Sequence, residues 1–338
     1  MRPNPIKATV DFEADGIQHG YLKVPYSGDD SAWGAVMIPM TVIKRGEGPT
    51  ALLTGANHGD EYEGPLALWA LSHTLKDSDL SGRVIMVPAM NYPAFQAAKR
   101  TSWIDGGNMN RVFPGDPEGN ITQIIADYFS RTLLPMADVV VDIHSGGKTL
   151  EFVPFAAAHV LDDKAQQARC VAASRAFNAP YTLMLLEPDA PHLYDTAAEN
   201  QGKVFVSTEL GGGGSASAKT ARIAKRGITN VLKHAGILSG ELETADSLSL
   251  DTMNPECFLT SEHSGLVEMC HDLGATVRRG DVMARIYDIE RTGGAPVEYQ
   301  ARVDGIFMGR HFPGLIKPGD FLAVVAERSA RATRFNPV

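Results

Sequence analysis

Residues 50–64 read TALLTGANHGDEYEG and join an apolar run to a glycine-rich polar turn. Its first part, TALL, is a short apolar run without polar alternation, which is typical of a strand buried on both faces of a sheet. The segment that follows, PLALWALSHTL, favours a helix. Between the two lie His58 and Glu61, in a turn crowded with glycines. We therefore expect a strand, then a flexible turn that carries an imidazole and a carboxylate, then a helix.

The same succession of apolar run, polar cluster and helical segment recurs from about residue 48 to residue 240. The other apolar runs are rich in Val, Ile or Leu, and they read GRVIMVPAMN, ADVVVDIHSG and KVFVSTELGG. Helical segments separate them, including NITQIIADYFSRTLL, in which Asn120 or Thr122 is the expected N-cap. Alternating strands and helices predict an α/β fold with a largely parallel sheet.

The sequence pattern is different on both sides of this region. Before it, apolar alternation predicts short strands; after about residue 250, glycine turns separate short apolar runs, as in a small all-β module. We therefore predict four parts: an N-terminal β segment (residues 1–47), the α/β domain on which it packs (48–250), the all-β module (251–330) and a tail (331–338).

The all-β module contains an internal repeat. The stretches SGLVEMCHDLGATVRRGDVMARI and DGIFMGRHFPGLIKPGDFLAVV align, and each reaches a Gly-Asp pair followed by apolar residues. The pattern resembles the barrel-sandwich fold of biotinyl and lipoyl domains, which carry their cofactor on a lysine. The corresponding stretch here, RIYDIERTGGAPVEYQA, contains no lysine. A structural or lid-like role is therefore expected, without a covalent cofactor.

Composition narrows the class of protein. The net charge of −9 over 338 residues, without a basic cluster, argues against a nucleic-acid surface. No apolar run is long enough for a membrane helix, and the N-terminus lacks the apolar core of a signal peptide. Three cysteines without CxxC spacing favour neither disulfides nor a thiolate metal site. We expect a cytoplasmic protein that acts on a small molecule, either as a monomer or as a homo-oligomer.

Polar side chains follow each of the apolar runs, in the clusters NHGDE, NYPAF, DIHSG and STELGGGG. Ligands of parallel α/β sheets bind at the carboxyl ends of the strands. A catalytic zinc ion takes three protein ligands, usually histidines and carboxylates, and leaves a position for water. His58 and Glu61 supply two such ligands from one turn, and His144 is the candidate for the third. Asp142 lies on the same side of its strand and is expected to orient His144.

Other residues fit the remaining tasks of an amide hydrolase. Glu209 ends the last apolar run before four glycines and is the candidate for the general base. The adjacent Asn110 and Arg111 offer an amide and a planar guanidinium for a substrate carboxylate. Arg100 is a candidate for polarising the scissile carbonyl. The alternative for each arginine is a solvent-exposed ion pair, and for Glu209 it is a pair with a nearby lysine.

The motifs HGDE, NMNRVFPG, DIHSG and TELGG, in this order and spacing, resemble the succinylglutamate desuccinylase/aspartoacylase family. The resemblance covers about residues 48–240, and a lipoyl-like tail also occurs in members of this family. It implies a zinc-carboxypeptidase-like, mixed but largely parallel sheet with helices on both faces. It also implies one Zn²⁺ per subunit, held by His58, Glu61 and His144, with Glu209 as the general base. Asn110 and Arg111 would bind the substrate carboxylate, and Arg100 would lie near the scissile carbonyl.

The N-terminal third further resembles the branch of this family that acts in ectoine catabolism, whose members deacetylate Nα-acetyl-L-2,4-diaminobutyrate. Trp103 departs from that branch, which typically has proline there. A diaminobutyrate substrate needs a partner for its γ-ammonium, and the candidates are Asp105, Glu187 and Asp189. The alternatives are a deacylase of N-acetylaspartate or N-succinylglutamate type, a zinc carboxypeptidase, or a non-catalytic binding or carrier protein.

Overall fold

The computed structural model describes residues 2–185 and 191–329. The predicted tail, residues 331–338, lies outside the described residues. Within them, no helix is both long and apolar enough to cross a membrane.

The N-terminal segment forms β1 (Lys7–Ala8), β2 (Gly16–Gly28) and β3 (Ser31–Arg45). The prediction of short strands here is wrong for β2 and β3, which have 13 and 15 residues and pair antiparallel along their length. Alternate residues of β2, such as Leu22 and Val24, are buried against the core, and β3 is buried towards its C-terminal end, so both strands are stabilised well beyond a short segment.

The predicted apolar runs all form strands of the main sheet. In chain order its next strands are β4 (Thr50–Gly55), β5 (Gly82–Val87), β6 (Val139–His144), β7 (Leu150–Phe152), β8 (Phe155–His159), β9 (Tyr181–Leu185), β10 (Val204–Glu209) and β11 (Leu248–Asp251). Every residue of β4, β5 and β6 is buried, as expected for strands covered on both faces.

The order of strands in this sheet brings three of the polar clusters together. β5, β4, β6 and β10 are adjacent and parallel, so the turn after β4 and the ends of β6 and β10 lie at one edge. β3 and β8 border this group antiparallel, and β9 and β11 then run parallel to β8. The α/β class is confirmed, and the sheet as a whole is mixed.

Helices cover both faces of the sheet. In chain order they are α1 (Glu63–Thr74), α2 (Tyr92–Gln96), α3 (Ile121–Tyr128), α4 (Leu134–Met136), α5 (Lys164–Phe177), α6 (Tyr194–Glu199) and α7 (Ala218–His234). One core cluster joins β2, β3 and β4 to α3, and another joins the opposite face to α1, α5 and α7. The expected N-cap is confirmed at Asn120, which forms a capping box with Gln123 at the start of α3.

The C-terminal region is built from strands. They are β12 (Phe258–Thr260), β13 (Gly265–Met269), β14 (Thr276–Val277), β15 (Val282–Tyr287), β16 (Val297–Gln300), β17 (Gly305–His311), β18 (Leu315–Ile316) and β19 (Phe321–Arg328). The two halves of the repeat exchange their short strands, because β14 pairs with β17 and β18 pairs with β13. β19 also pairs with β11, so the main sheet continues into this region.

Candidate metal centre and active site

Three candidate ligands meet at the edge formed by β4, β6 and β10. His58 and Glu61 lie in the turn after β4, and His144 is the last residue of β6. All are buried, and one ligand atom from each lies within 4.8 Å of the other two. The Nδ1 atoms of His58 and His144 are 2.7 and 2.9 Å from the two carboxylate oxygens of Glu61. The sequence prediction of one group able to hold a metal ion thus has its geometric counterpart here.

Asp142 fixes the orientation of the His144 ring. Its Oδ2 lies 2.7 Å from Nε2 of His144, which leaves Nδ1 turned towards Glu61. The same carboxylate accepts hydrogen bonds from the Thr54 hydroxyl at 2.6 Å and from the Asn57 side-chain amide at 3.0 Å. Metal-binding histidines commonly donate their second ring nitrogen to a carboxylate, which fixes the tautomer and the direction of the free lone pair.

Burial and charge compete in this cluster. Burial lowers the pKa of His58 and would raise that of Glu61, but the neighbouring imidazoles hold the pKa of the Glu61 carboxyl well below its usual range. Burial also opposes protonation of His144, yet Asp142 and Glu61 together raise the pKa of this imidazole well above its usual value. The site therefore holds two buried carboxylates that stabilise positive charge, which suits a cation.

Glu209 ends β10 directly beside His144, with which it is in register. It is partly shielded at the strand end, and its Oε2 atom is buried without a hydrogen-bond partner among the described residues. Burial, with the negative charge of Glu61 nearby, raises the pKa of the Glu209 carboxyl well above its usual value. A carboxylate with raised basicity and a free oxygen is chemically able to accept a proton.

Arg100 lies at the rim of the cluster. Its guanidinium Nη1 is 3.8 Å from Oε1 of Glu61, and its side chain is 42% exposed. The side chain is therefore partly open to solvent while its charge reaches the buried site. The structure places this predicted residue next to the candidate metal ligands.

Asn110 and Arg111 lie in a single 3₁₀ turn, Met109–Arg111. The Asn110 side-chain oxygen accepts a hydrogen bond from the backbone of Tyr194 at 2.9 Å. The Arg111 guanidinium donates to the Asn110 carbonyl at 2.6 Å and is otherwise exposed. Within residues 2–185 and 191–329, no hydrogen bond or ion pair connects this turn to the metal-ligand cluster. The structure thus leaves the guanidinium accessible without joining it to the cluster.

The three candidates for binding a γ-ammonium have different outcomes. Asp105 uses both carboxylate oxygens inside the protein, because it accepts bonds from the backbone of Gly107 and from the backbone and hydroxyl of Thr122. Glu187 and Asp189 lie outside the described residues. Asp105 therefore has a structural task.

Several residues that build the site were not predicted from the sequence. Thr54 and Asn57 hold Asp142, and the backbone of Ser145 donates to Oε2 of Glu61 at 3.2 Å. The signal for Asn57 was its place beside His58 in the turn, but a polar residue in a turn is common and by itself indicates no partner.

Comparison with known proteins identifies the family. A model of the succinylglutamate desuccinylase/aspartoacylase catalytic domain matches residues 47–235. The N-alpha-acetyl-L-2,4-diaminobutyric acid deacetylase of Halomonas elongata is 58% identical over 329 residues, which cover 97% of this chain and 96% of that protein.

Solved structures agree with this match over nearly the whole chain. The product-bound ectoine utilization protein EutE (DoeB) from Ruegeria pomeroyi has 61% identity and a TM-score of 0.96, covering 97% of this chain and all (100%) of that one. A succinylglutamate desuccinylase from Silicibacter sp. TM1040 has 60% identity and a TM-score of 0.95, with coverages of 97% and 100%. The chain belongs to the succinylglutamate desuccinylase/aspartoacylase family.

Proposed function

We propose that this protein is a zinc-dependent hydrolase that removes the acetyl group from Nα-acetyl-L-2,4-diaminobutyrate in ectoine degradation. The observation that carries the proposal is the buried cluster of His58, Glu61 and His144 with Glu209 on the adjacent strand. Identity of 58% to a protein named as that deacetylase, over nearly the full length of both chains, supports the substrate.

The cluster fits a catalytic zinc ion by its donor set. Two imidazoles and a carboxylate are the ligands of many catalytic zinc sites, and the fixed ring of His144 presents Nδ1 on the side of Glu61. When bound, zinc would lower the pKa of a water molecule and polarise the amide carbonyl.

The chain's own residues supply the proton transfers in this proposal. Glu209 takes a proton as the water oxygen bonds to the acetyl carbon, and it gives a proton to the departing α-amine as the C–N bond breaks. The products are acetate and diaminobutyrate. Its buried Oε2, which has no hydrogen-bond partner in the described part of the chain, and its raised pKa suit a base that must bind the proton and release it within one turnover.

Substrate orientation is assigned to polar residues around the cluster. Arg111, with Asn110, takes the α-carboxylate in a bidentate contact, since the guanidinium is exposed and forms no ion pair with a carboxylate among the described residues. Arg100 directs positive charge at the acetyl carbonyl, where negative charge develops. Together these groups select an N-acyl amino acid with a free α-carboxylate.

A panel of N-acyl amino acids tests the substrate. The expected kcat/KM is largest for Nα-acetyl-diaminobutyrate, and acetate release should stop when a chelator removes the metal. The alternative is an N-succinyl substrate, which the name of the structure with 60% identity favours. Faster cleavage of N-succinylglutamate or N-acetylaspartate would overturn the diaminobutyrate assignment and leave the amide hydrolase.

A further inference from the structure

The short strand β7 lies between the C-terminal region and the loop that follows Glu209. On one side it pairs with β17, and Arg310 is opposite Glu151 in that ladder. On the other side, the backbone of Phe152 donates to the carbonyl of Gly211 at 3.0 Å, and the backbone of Gly213 donates to Leu150 at 3.1 Å. β7 therefore joins the C-terminal region to the glycine loop, residues 211–214.

The conformation of the glycine loop depends on contacts with neighbouring segments. All four of its residues have positive φ, from 71° to 148°, which glycine adopts readily and most other residues avoid. Such a run has no side chains of its own to pack, so neighbouring segments must fix its conformation. At Gly212 the approach is close, because a Cβ there would lie 2.0 Å from the carbonyl oxygen of Leu150.

Phe312 supplies a side-chain contact to this loop. The residue follows β17, and its backbone donates to the carbonyl of Thr149 at 2.9 Å. Its ring lies so close to Gly213 that a Cβ there would be 2.7 Å from the ring carbons. The Arg310 guanidinium lies 5.3 Å from the ring centroid and pairs with Glu151 at 2.7 Å, so the ring is supported in turn.

We propose that Phe312 is a positioning residue, whose ring closes over Gly213 and thereby holds the glycine loop and the Glu209 carboxylate in place. The inference rests on the proposed function, in which Glu209 must lie within reach of the water proton. In this proposal the C-terminal region contributes to catalysis, because β17 and Phe312 hold the backbone segment that follows Glu209.

Substitution of the ring tests this proposal. Phe312→Ala should lower kcat roughly tenfold, less than the about hundredfold that a misplacement of 1 Å can cause. KM and zinc stoichiometry should be unchanged, since the substrate clamp and the metal ligands are untouched. Phe312→Tyr keeps the ring and should restore most of the turnover. Phe258→Ala is the matched control, because Phe258 is similarly exposed, 42% against 38%, and lies in β12.

Hydrogen exchange gives a readout that does not depend on turnover. The amides of Gly213 and Gly214 are hydrogen-bonded, and in Phe312→Ala they should exchange several-fold faster than in the wild type or in Phe258→Ala. Wild-type protein without deacetylase activity would refute the proposed function, and the exchange rates would still decide whether the ring holds the loop. Wild-type kcat in Phe312→Ala, with or without a lower Tm, would overturn the inference.

Discussion

At the scale of single residues, the site brings imidazoles and carboxylates together at the ends of three parallel strands, β4, β6 and β10. Glu61 contacts both imidazoles, and Glu209 stands in register with His144 on the next strand. The two glutamates differ in their surroundings. Imidazoles surround Glu61 and lower its pKa, whereas burial and nearby negative charge raise the pKa of Glu209. This difference suits one carboxylate to binding a cation and the other to accepting a proton.

Glu209→Gln separates these two tasks. The amide has nearly the same shape but accepts no proton from water, so kcat should fall by roughly two to four orders of magnitude. Zinc content and Tm should match the wild type, because neither metal ligands nor core packing change. Activity near that of the wild type in this variant would mean that another carboxylate is the base, and Glu63, buried nearby, would be the first to test.

Arg111→Lys tests the carboxylate clamp. Lysine keeps the charge but loses the planar fork, so KM for Nα-acetyl-diaminobutyrate should rise about tenfold, the equivalent of one charge-assisted hydrogen bond. The same substitution at Arg131, which pairs with Asp127 on α3, is the control and should leave KM unaltered. If Arg111→Lys leaves KM at the wild-type value, carboxylate recognition lies elsewhere.

At the scale of elements, the loop between α2 and α3 carries Arg100, Asn110 and Arg111, and Asp105 fastens it to the first turn of α3. Burial would raise the pKa of Asp105, but hydrogen bonds from Thr122 and Gly107 lower it below its usual value. The ionised carboxylate is therefore the form that stabilises the loop.

Asp105→Asn should lower the free energy of unfolding by roughly 1–2 kcal/mol at pH 7, because the amide nitrogen accepts no bond from the backbone. A lowered folded-state pKa stabilises the protein above the unfolded value of about 3.9, and this contribution is lost as the pH falls through the folded-state pKa. The difference from the wild type, measured by urea unfolding, should thus shrink below about pH 4. Asp116→Asn, at an exposed turn, is the control; a pH-independent difference in Asp105→Asn would contradict this account.

The central strands were predictable because burial on both faces leaves a local mark, a run of Val, Ile and Leu such as VVVDIH in β6. The lengths of β2 and β3 were not, since alternation in a half-buried hairpin is interrupted by residues such as Gly20 and Pro39. β8, with the sequence FAAAH, carries small residues that give no local strand signal, and its place in the sheet depends on pairing with β10, which lies much later in the chain.

At the scale of the whole molecule, the C-terminal strands share a core with the catalytic region. Val153, Phe155 and Leu183 pack in the same cluster as Phe307 and Val324, and β11 pairs with β19. The group able to hold a metal ion was predictable because strand ends and the HxxE spacing are local features of the sequence. The bracing of the glycine loop by Phe312 was not, because it depends on a contact about 100 residues away that no periodicity indicates.

This shared core predicts cooperative unfolding. Calorimetry of the full chain should show a single transition, because the catalytic region and the C-terminal strands bury side chains in one cluster. Removing residues from about 255 onwards would expose the part of that cluster around Phe155 and Leu250. A truncated chain ending at residue 254 should fail to fold. Two separate transitions, or a stable truncated protein, would indicate an independent C-terminal domain.

The most direct test of the account is a zinc titration of chelator-treated protein, with release of acetate from Nα-acetyl-diaminobutyrate as the readout. Turnover should return in proportion to added zinc and reach its plateau at one equivalent per chain. Glu209→Gln should bind one equivalent without turnover, and His144→Ala should bind less and recover none. Full turnover in metal-free protein, or an unchanged zinc stoichiometry in His144→Ala, would contradict the assignment of His58, Glu61 and His144 as the catalytic zinc site.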